Sequence, residues 1–246
     1  MMLDIDKNYM EIHMLVFKYR FVRLASALLI VLLPACAHHA ITNTESFPLV
    51  DARNAMPEIH LDMRYATASN FTGKKVTGYE AAKCLLHKPV AEALAKVEKG
   101  LNASGYALVL FDCYRPTIAV DDFMRWAKNA DTSTKAEYYP DLDKSVLVPD
   151  YIAEKSGHSK GATLDVGLLD CRSKPCIALD MGTAFDFFGI QANTDYPNLT
   201  DEQRKNRLLL LDAMQAQGFV NYSMEWWHFT WKAGALPDQA YSFPIQ

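Results

Sequence analysis

Apolar side chains recur along this chain at two periods, and the places where one gives way to the other mark out helices and strands. From Pro89 onward, Val90, Leu94, Val97 and Leu101 fall on one helical face, with Gly105 behind them as a stop. Residues 106–111 are a nearly unbroken apolar run, as expected of a strand covered on both faces. Pro116 suits the first turn of a second helix carrying Val120, Phe123, Met124 and Ala127. Over 162–168 the period drops to two, with Ala162, Leu164, Val166 and Leu168 on one side of a strand. Thr200 and Gln203 have the spacing of a capping box and open a third helix, in which Leu208, Leu211 and Met214 share a face and Gly218 follows the end. Residues 219–231 form a last strand region. Elsewhere the pattern is irregular: an opening strand and loop over 51–67, a turn at Phe71-Thr72-Gly73-Lys74, a short hairpin before Asp180, and loops over 131–155 and 193–198. A loop as long as 131–155 in a compact domain often serves as a functional cover.

The N-terminus is different in kind. Lys18, Arg20 and Arg23 precede an apolar run over 24–33, too short to span a bilayer permanently but suited to the core of a secretory signal. The run ends in Pro34-Ala35-Cys36, which resembles the site where bacterial lipoproteins are cleaved and lipidated on cysteine. Ordinary cleavage after Ala35-Cys36-Ala37 competes; lipidation is favoured because the apolar block abuts Cys36. The segment before Met14 is long for a signal, so translation starting at Met14 fits as well as Met1. The expected organisation is a signal over 1–36, a polar tether over 37–46 and one folded domain over 47–246, in an exported, periplasmic, membrane-anchored protein. With 246 residues, half of them hydrophobic, the chain suits one sizeable core. Its net charge of −4 and lack of basic runs argue against a nucleic-acid partner. Apart from Cys36, the four cysteines Cys84, Cys113, Cys171 and Cys176 favour two disulfides in an exported chain. Of the three pairings, Cys171 with Cys176 across a tight turn is natural and leaves Cys84 with Cys113.

The candidate chemistry lies in two stretches, Ser156 to Asp165 and Glu225-Trp226-Trp227-His228. Two histidines and a carboxylate can hold Zn²⁺ with its fourth position open to water, and Glu225 is close enough in sequence to His228 to act as that water's base. His158 and Asp165 are an odd seven residues apart, so an unbroken strand would point them to opposite faces. Gly157 and Gly161 supply the break, putting His158 on a turn and Asp165 in the strand. Glu225 and His228 likewise converge only across a turn or bulge. Either pair alone is commonplace; the glycines and the two tryptophans beside His228 raise the case. Arg115, where a strand passes into a helix, serves either as a donor to a developing oxyanion or as a salt-bridge partner of Asp112 or Asp121. Tyr65 and Tyr79 read first as half-buried packing residues, and Asp186 as a turn-maker.

The segments Ser156-x-His158-Ser159-x-Gly161-x3-Asp165, Glu225-Trp226-Trp227-His228 and Asp112-Cys113-Tyr114-Arg115-Pro116 together resemble the D-alanyl-D-alanine dipeptidases, zinc enzymes of the vancomycin-resistance type. Met63-Arg64-Tyr65-Ala66-Thr67, Asn70 to Lys74, Gly78-Tyr79-Glu80, Met181-Gly182-Thr183 and Phe185-Asp186-Phe187 are similar in order and spacing, so the resemblance runs from about Asp62 to the C-terminus. It implies one Zn²⁺ per chain on His158, Asp165 and His228, Glu225 as base, and Arg115 as stabiliser of the tetrahedral intermediate. It also implies a D,D-dipeptide substrate touched by Ser156, Asp186, Tyr65 and Tyr79. The expected fold is a single α+β domain with a mostly antiparallel central sheet flanked by helices, like that of the hedgehog and D-Ala-D-Ala peptidases. Two other functions stay open: a D,D- or L,D-carboxypeptidase trimming peptidoglycan, and a non-catalytic zinc-stabilised binding module. The resistance members act in the cytoplasm, whereas this chain carries an export signal, which points to salvage or turnover in the envelope.

Overall fold

The structure, a computed structural model, describes residues 48–246. The signal and tether, with Cys36, lie outside the described residues. Three two-residue strands come first: β1 (Val50–Asp51), β2 (His60–Leu61) and β3 (Leu85–Leu86). Then follow helix α1 (Lys88–Asn102), strand β4 (Tyr106–Asp112), helix α2 (Thr117–Lys128) and one helical turn, α3 (Lys135–Tyr138). Strands β5 (Thr163–Asp170) and β6 (Ile177–Ala178), helix α4 (Asp201–Gln215), and strands β7 (Phe219–Asn221) and β8 (His228–Trp231) complete the described chain.

The main sheet runs β2-β4-β5-β8-β7, with β6 also paired to β5. Only β2 against β4 is parallel. β1 and β3 form a separate antiparallel pair. This is the expected α+β domain with a mostly antiparallel sheet. The alternation in β5 has a plain cause: Leu164, Val166 and Leu168 are sealed in the core together with Leu108 and Leu110 of β4. Helix α1 packs on β4, and α4 on β5 and β7. The helical stripe Val90, Leu94, Val97 and Leu101 is buried as its spacing requires, each side chain contributing roughly 1.5–3 kcal/mol. Both disulfides form, Cys84 with Cys113 and Cys171 with Cys176, the latter across the β5–β6 hairpin.

Three expectations change. Residues 51–67 hold the end of β1 and the short β2, set among 3-10 turns at Ala52–Asn54 and Arg64–Ala66, where one opening strand and a loop were expected. The stretch 131–155 contains α3 and a 3-10 turn at Lys144–Val146. In α4 the Thr200–Gln203 capping box is present, but the buried face is Asn206, Arg207, Leu210 and Met214, while Leu208 is exposed. The cause is Arg207, whose guanidinium is buried and donates to the carbonyls of Met181, Gln191 and Asn193. A count of apolar positions cannot see a buried arginine that ties loops together.

Candidate active site

Three neighbouring strands deliver the floor of the site. Asp112 of β4 lies opposite Asp165 of β5, which lies opposite His228 of β8, so the three side chains form a row on one face of the sheet. Asp112 joins that row because the β4–β5 register slips by one residue between Leu110 and Asp112. Such a bulge turns Asp112 onto a face that strict alternation would deny it. Gly167 makes the room: a Cβ there would stand 2.9 Å from the Phe111 ring.

His158 arrives from outside the strands. Ser156 caps the 3-10 turn Gly157–Lys160, its Oγ accepting from the His158 amide at 3.2 Å, and Gly161 ends the turn in the left-handed region at φ 72°. These are the breaks that the seven-residue separation demanded. His158 Nδ1 donates to the Cys113 carbonyl at 2.7 Å, which leaves Nε2 as the free lone pair. The second break falls inside Glu225–His228: the His228 amide donates to the Glu225 carbonyl at 3.3 Å, closing a turn, and the Asn221 side chain donates to the carbonyls of Glu225 and His228.

The outcome is a triangle of lone-pair atoms. His158 Nε2 is 3.3 Å from Asp165 Oδ1 and 3.3 Å from His228 Nδ1, and the latter two are 3.0 Å apart. Ligands bound tetrahedrally at ~2.0–2.1 Å would stand about 3.3 Å from one another. Asp165 Oδ1 is buried without a conventional hydrogen-bond partner, which is costly unless a cation fills the gap. Burial opposes the charge of Asp165, but the two imidazoles outweigh it and hold its carboxyl well below the ordinary carboxylate range. A second group of ligand-type side chains, His60, Cys171 and Cys176, lies elsewhere and has its sulfurs joined.

Around the triangle stand the groups for chemistry. Glu225 Oε2 is 3.4 Å from His228 Nδ1, and burial at the cavity wall pushes its carboxyl up to about 7. Arg115 forms the salt bridge that was one of its two sequence readings: Nε and Nη2 grip Asp112 Oδ2 at 3.0 and 2.9 Å, and Nη2 lies 3.6 Å from Asp165. Its guanidinium lies over the rings of Tyr65 and Phe123, 5.1 Å from each. Asp112 was legible only as a salt-bridge partner, yet it also lies 3.4 Å from His158 Nδ1 and so ties Arg115 and His158 together. The signal available was its place three residues before Arg115 at a strand end.

Asp186 is buried in the left-handed region at φ 64° and accepts Tyr65 Oη at 3.0 Å on both carboxylate oxygens. Burial first, then the nearby Asp165 charge, push its carboxyl well above the usual range. A non-glycine residue held in this way is strained, and such strain gathers at functional sites. Tyr79 differs from the expectation of a substrate contact. It is fully buried outside the cavity lining, and its hydroxyl donates to Asp112 at 2.7 Å. Its role is to hold the acid that holds Arg115.

These groups open onto one cavity of about 240 Å³, walled by Tyr65, Arg115, Ser156, Asp186, Glu225 and Trp227. Residues 149–153 and 155–157 line one side, so part of the expected 131–155 loop borders the cavity. Trp227 is a buried wall, whereas Trp226 packs behind it and donates to Thr183. The volume is below the ~300–1,000 Å³ usual for drug-sized ligands, so a small ligand fits.

Fold and site together define a metal-dependent peptidase: a His-Asp-His triangle, a recessed carboxyl poised near neutrality and an arginine facing one small cavity. The chain belongs to the peptidase M15 family, whose model, described as D-ala-D-ala dipeptidase, matches residues 45–246. It is similar to the D-alanyl-D-alanine dipeptidase of Streptomyces coelicolor, 37% identical over 82% of this chain and 99% of that protein. The dipeptidases of Enterococcus faecalis and Escherichia coli are 36% and 35% identical, over 76% and 82% of this chain and 93% and 91% of theirs.

Proposed function

We propose that this protein hydrolyses D-alanyl-D-alanine to two D-alanines in the cell envelope, in turnover or salvage of peptidoglycan components. His158, Asp165 and His228 would hold one Zn²⁺, whose contribution when bound is Lewis acidity and a more acidic water. The observation that carries the reading is the ligand triangle with its orphaned Asp165 oxygen, directly beside Glu225. Glu225, with a carboxyl near neutral pKa, takes a proton from the attacking water and returns one to the leaving amine. Arg115, fixed by Asp112 and two rings, faces the oxyanion. Asp186 suits the substrate's ammonium, since an incoming cation would offset the burial that now disfavours its charge. Ser156 uses its oxygen lone pair in the cap and keeps its hydroxyl proton for the substrate carboxylate.

Anchoring of the mature chain by a lipid on Cys36, after removal of the residues before it, belongs to the same proposal and rests on the apolar run over 24–33 that leads into that cysteine. Among the described residues no helix is long and apolar enough to cross a membrane. The retained base and arginine argue against a purely structural metal. Replacing His158, Asp165 or His228 by Ala should remove bound zinc and activity together; full zinc occupancy in all three variants would reject the ligand set. Amine release from D-Ala-D-Ala, set beside a muropeptide ending in the same two residues, separates dipeptidase from carboxypeptidase. Faster turnover of the muropeptide would favour the latter.

A further inference from the structure

At the other end of β5 from Asp165, a second set of ligand-type side chains converges. The loop from β5 to β6 is closed by the Cys171–Cys176 disulfide. His60 of β2 reaches the same place, and its ring nitrogen and both sulfurs lie within 4.8 Å of one another. The two disulfides stand in different surroundings. Cys84 and Cys113 are completely buried, whereas Cys171 and Cys176 are partly exposed and lie next to the exposed Ile177. The Lys174 ammonium lies 3.7 Å from the Cys176 sulfur. A cation there stabilises a departing thiolate and so favours exchange at this bond.

We propose that the Cys171–Cys176 pair, once reduced, forms with His60 a second metal site for a thiophilic divalent cation such as Zn²⁺, separate from His158, Asp165 and His228. The reductant is a dithiol. One of its thiolates attacks a sulfur of the pair, the other sulfur leaves as thiolate, and the second reductant thiol then displaces the mixed disulfide. The protein gains two electrons and two protons, and the reductant becomes its own disulfide. Metal binding then releases the two thiol protons. Two thiolates separated by four residues, with an imidazole, match the donor types and spacing of zinc sites, and sulfur selects soft cations.

Co²⁺ is the probe, because thiolate ligation gives a sulfur-to-metal charge-transfer band that a His-Asp-His site cannot produce. The full chain is treated with a dithiol under conditions that keep Cys84–Cys113 closed, freed of reductant anaerobically, and titrated with Co²⁺. The expected result is a thiolate band in the reduced protein and none in the oxidised protein. One additional Zn²⁺ per chain should bind after reduction. The band should vanish in the Cys171→Ser/Cys176→Ser variant, which retains Cys36 and so excludes that thiol as its source. Binding should weaken at least ~10-fold in His60→Ala. The inference is overturned if the reduced wild type, with both thiols counted free, shows no band. It is equally overturned if the band persists in the double-serine variant, if His60→Ala binds as tightly, or if the pair resists reduction while Cys84–Cys113 stays closed.

Discussion

Glu225 and Arg115 face the same cavity but should fail differently. Glu225→Gln keeps the side chain's shape and leaves the three proposed ligands intact, so zinc should stay while turnover falls ~10²–10⁴-fold. Arg115→Ala should also retain zinc and lose kcat preferentially, by the equivalent of ~3–4 kcal/mol in the transition state. Near-normal turnover of zinc-loaded Glu225→Gln would dismiss Glu225 as the base. Away from the site, Glu98 gives a pH test of stability. It is buried and accepts the Leu108 amide at 2.7 Å, and burial raises its carboxyl above the ordinary range. Its folded pKa is therefore the higher one, so its contribution is complete below the unfolded value of ~4.3 and is lost as pH rises through the folded value. Stability of Glu98→Gln relative to wild type should accordingly climb with pH above ~4 and level off below; a flat difference in chemical denaturation would rule this out. At this scale His158, Asp165, Glu225 and His228 were legible because their spacings demanded breaks that glycines and a turn could supply. Asp112 was not, because the bulge that turns it toward the site depends on the register of two strands distant in sequence.

Elements built from local periodicity were read well. The stripe of α1 and the alternation of β5 follow from burying one face, and the Thr200–Gln203 cap follows from three residues of sequence. Helix α4 was misread by part of a turn because its inner face carries Arg207 and Asn206 in place of apolar side chains. The strands β1, β2, β3 and β6 are two residues each, too short for any period to show. What holds such short pieces is partly covalent. The Cys84–Cys113 bridge, spanning a sequence separation of 29, joins the chain just before β3 to the segment carrying Arg115. On the chain-entropy relation it should stabilise by ~3–4 kcal/mol, against ~2 kcal/mol for the small Cys171–Cys176 ring. Denaturant unfolding of the two double-serine variants should show that order. Since the Cys113 carbonyl also accepts His158 Nδ1, the Cys84→Ser/Cys113→Ser variant should bind zinc more weakly, whereas loss of the outer bridge should leave the His-Asp-His site unchanged. Equal costs for both bridges would contradict the loop-length argument.

For the whole molecule, substrate supply depends on location. A cytoplasmic dipeptidase competes with cell-wall synthesis for newly made D-Ala-D-Ala, whereas an exported one meets only dipeptide released outside the cytoplasm. The proposed envelope setting rests on the apolar run over 24–33, Cys36 and the cysteine pairs of the folded domain, and in that setting the proposed role is salvage. The prediction is that expression of the full chain leaves the cytoplasmic D-Ala-D-Ala pool unchanged while extracytoplasmic fractions gain D-Ala-D-Ala hydrolysis that Glu225→Gln abolishes. A chain beginning near residue 45 should stay in the cytoplasm and deplete that pool only to the extent that it folds without its bridges, so its yield must be measured beside the pool. Fractionation with metabolite measurement decides the matter. If the pool falls while the full-length protein is recovered outside the cytoplasm, location does not limit its substrate, and the salvage reading fails even if the chemistry of the site stands.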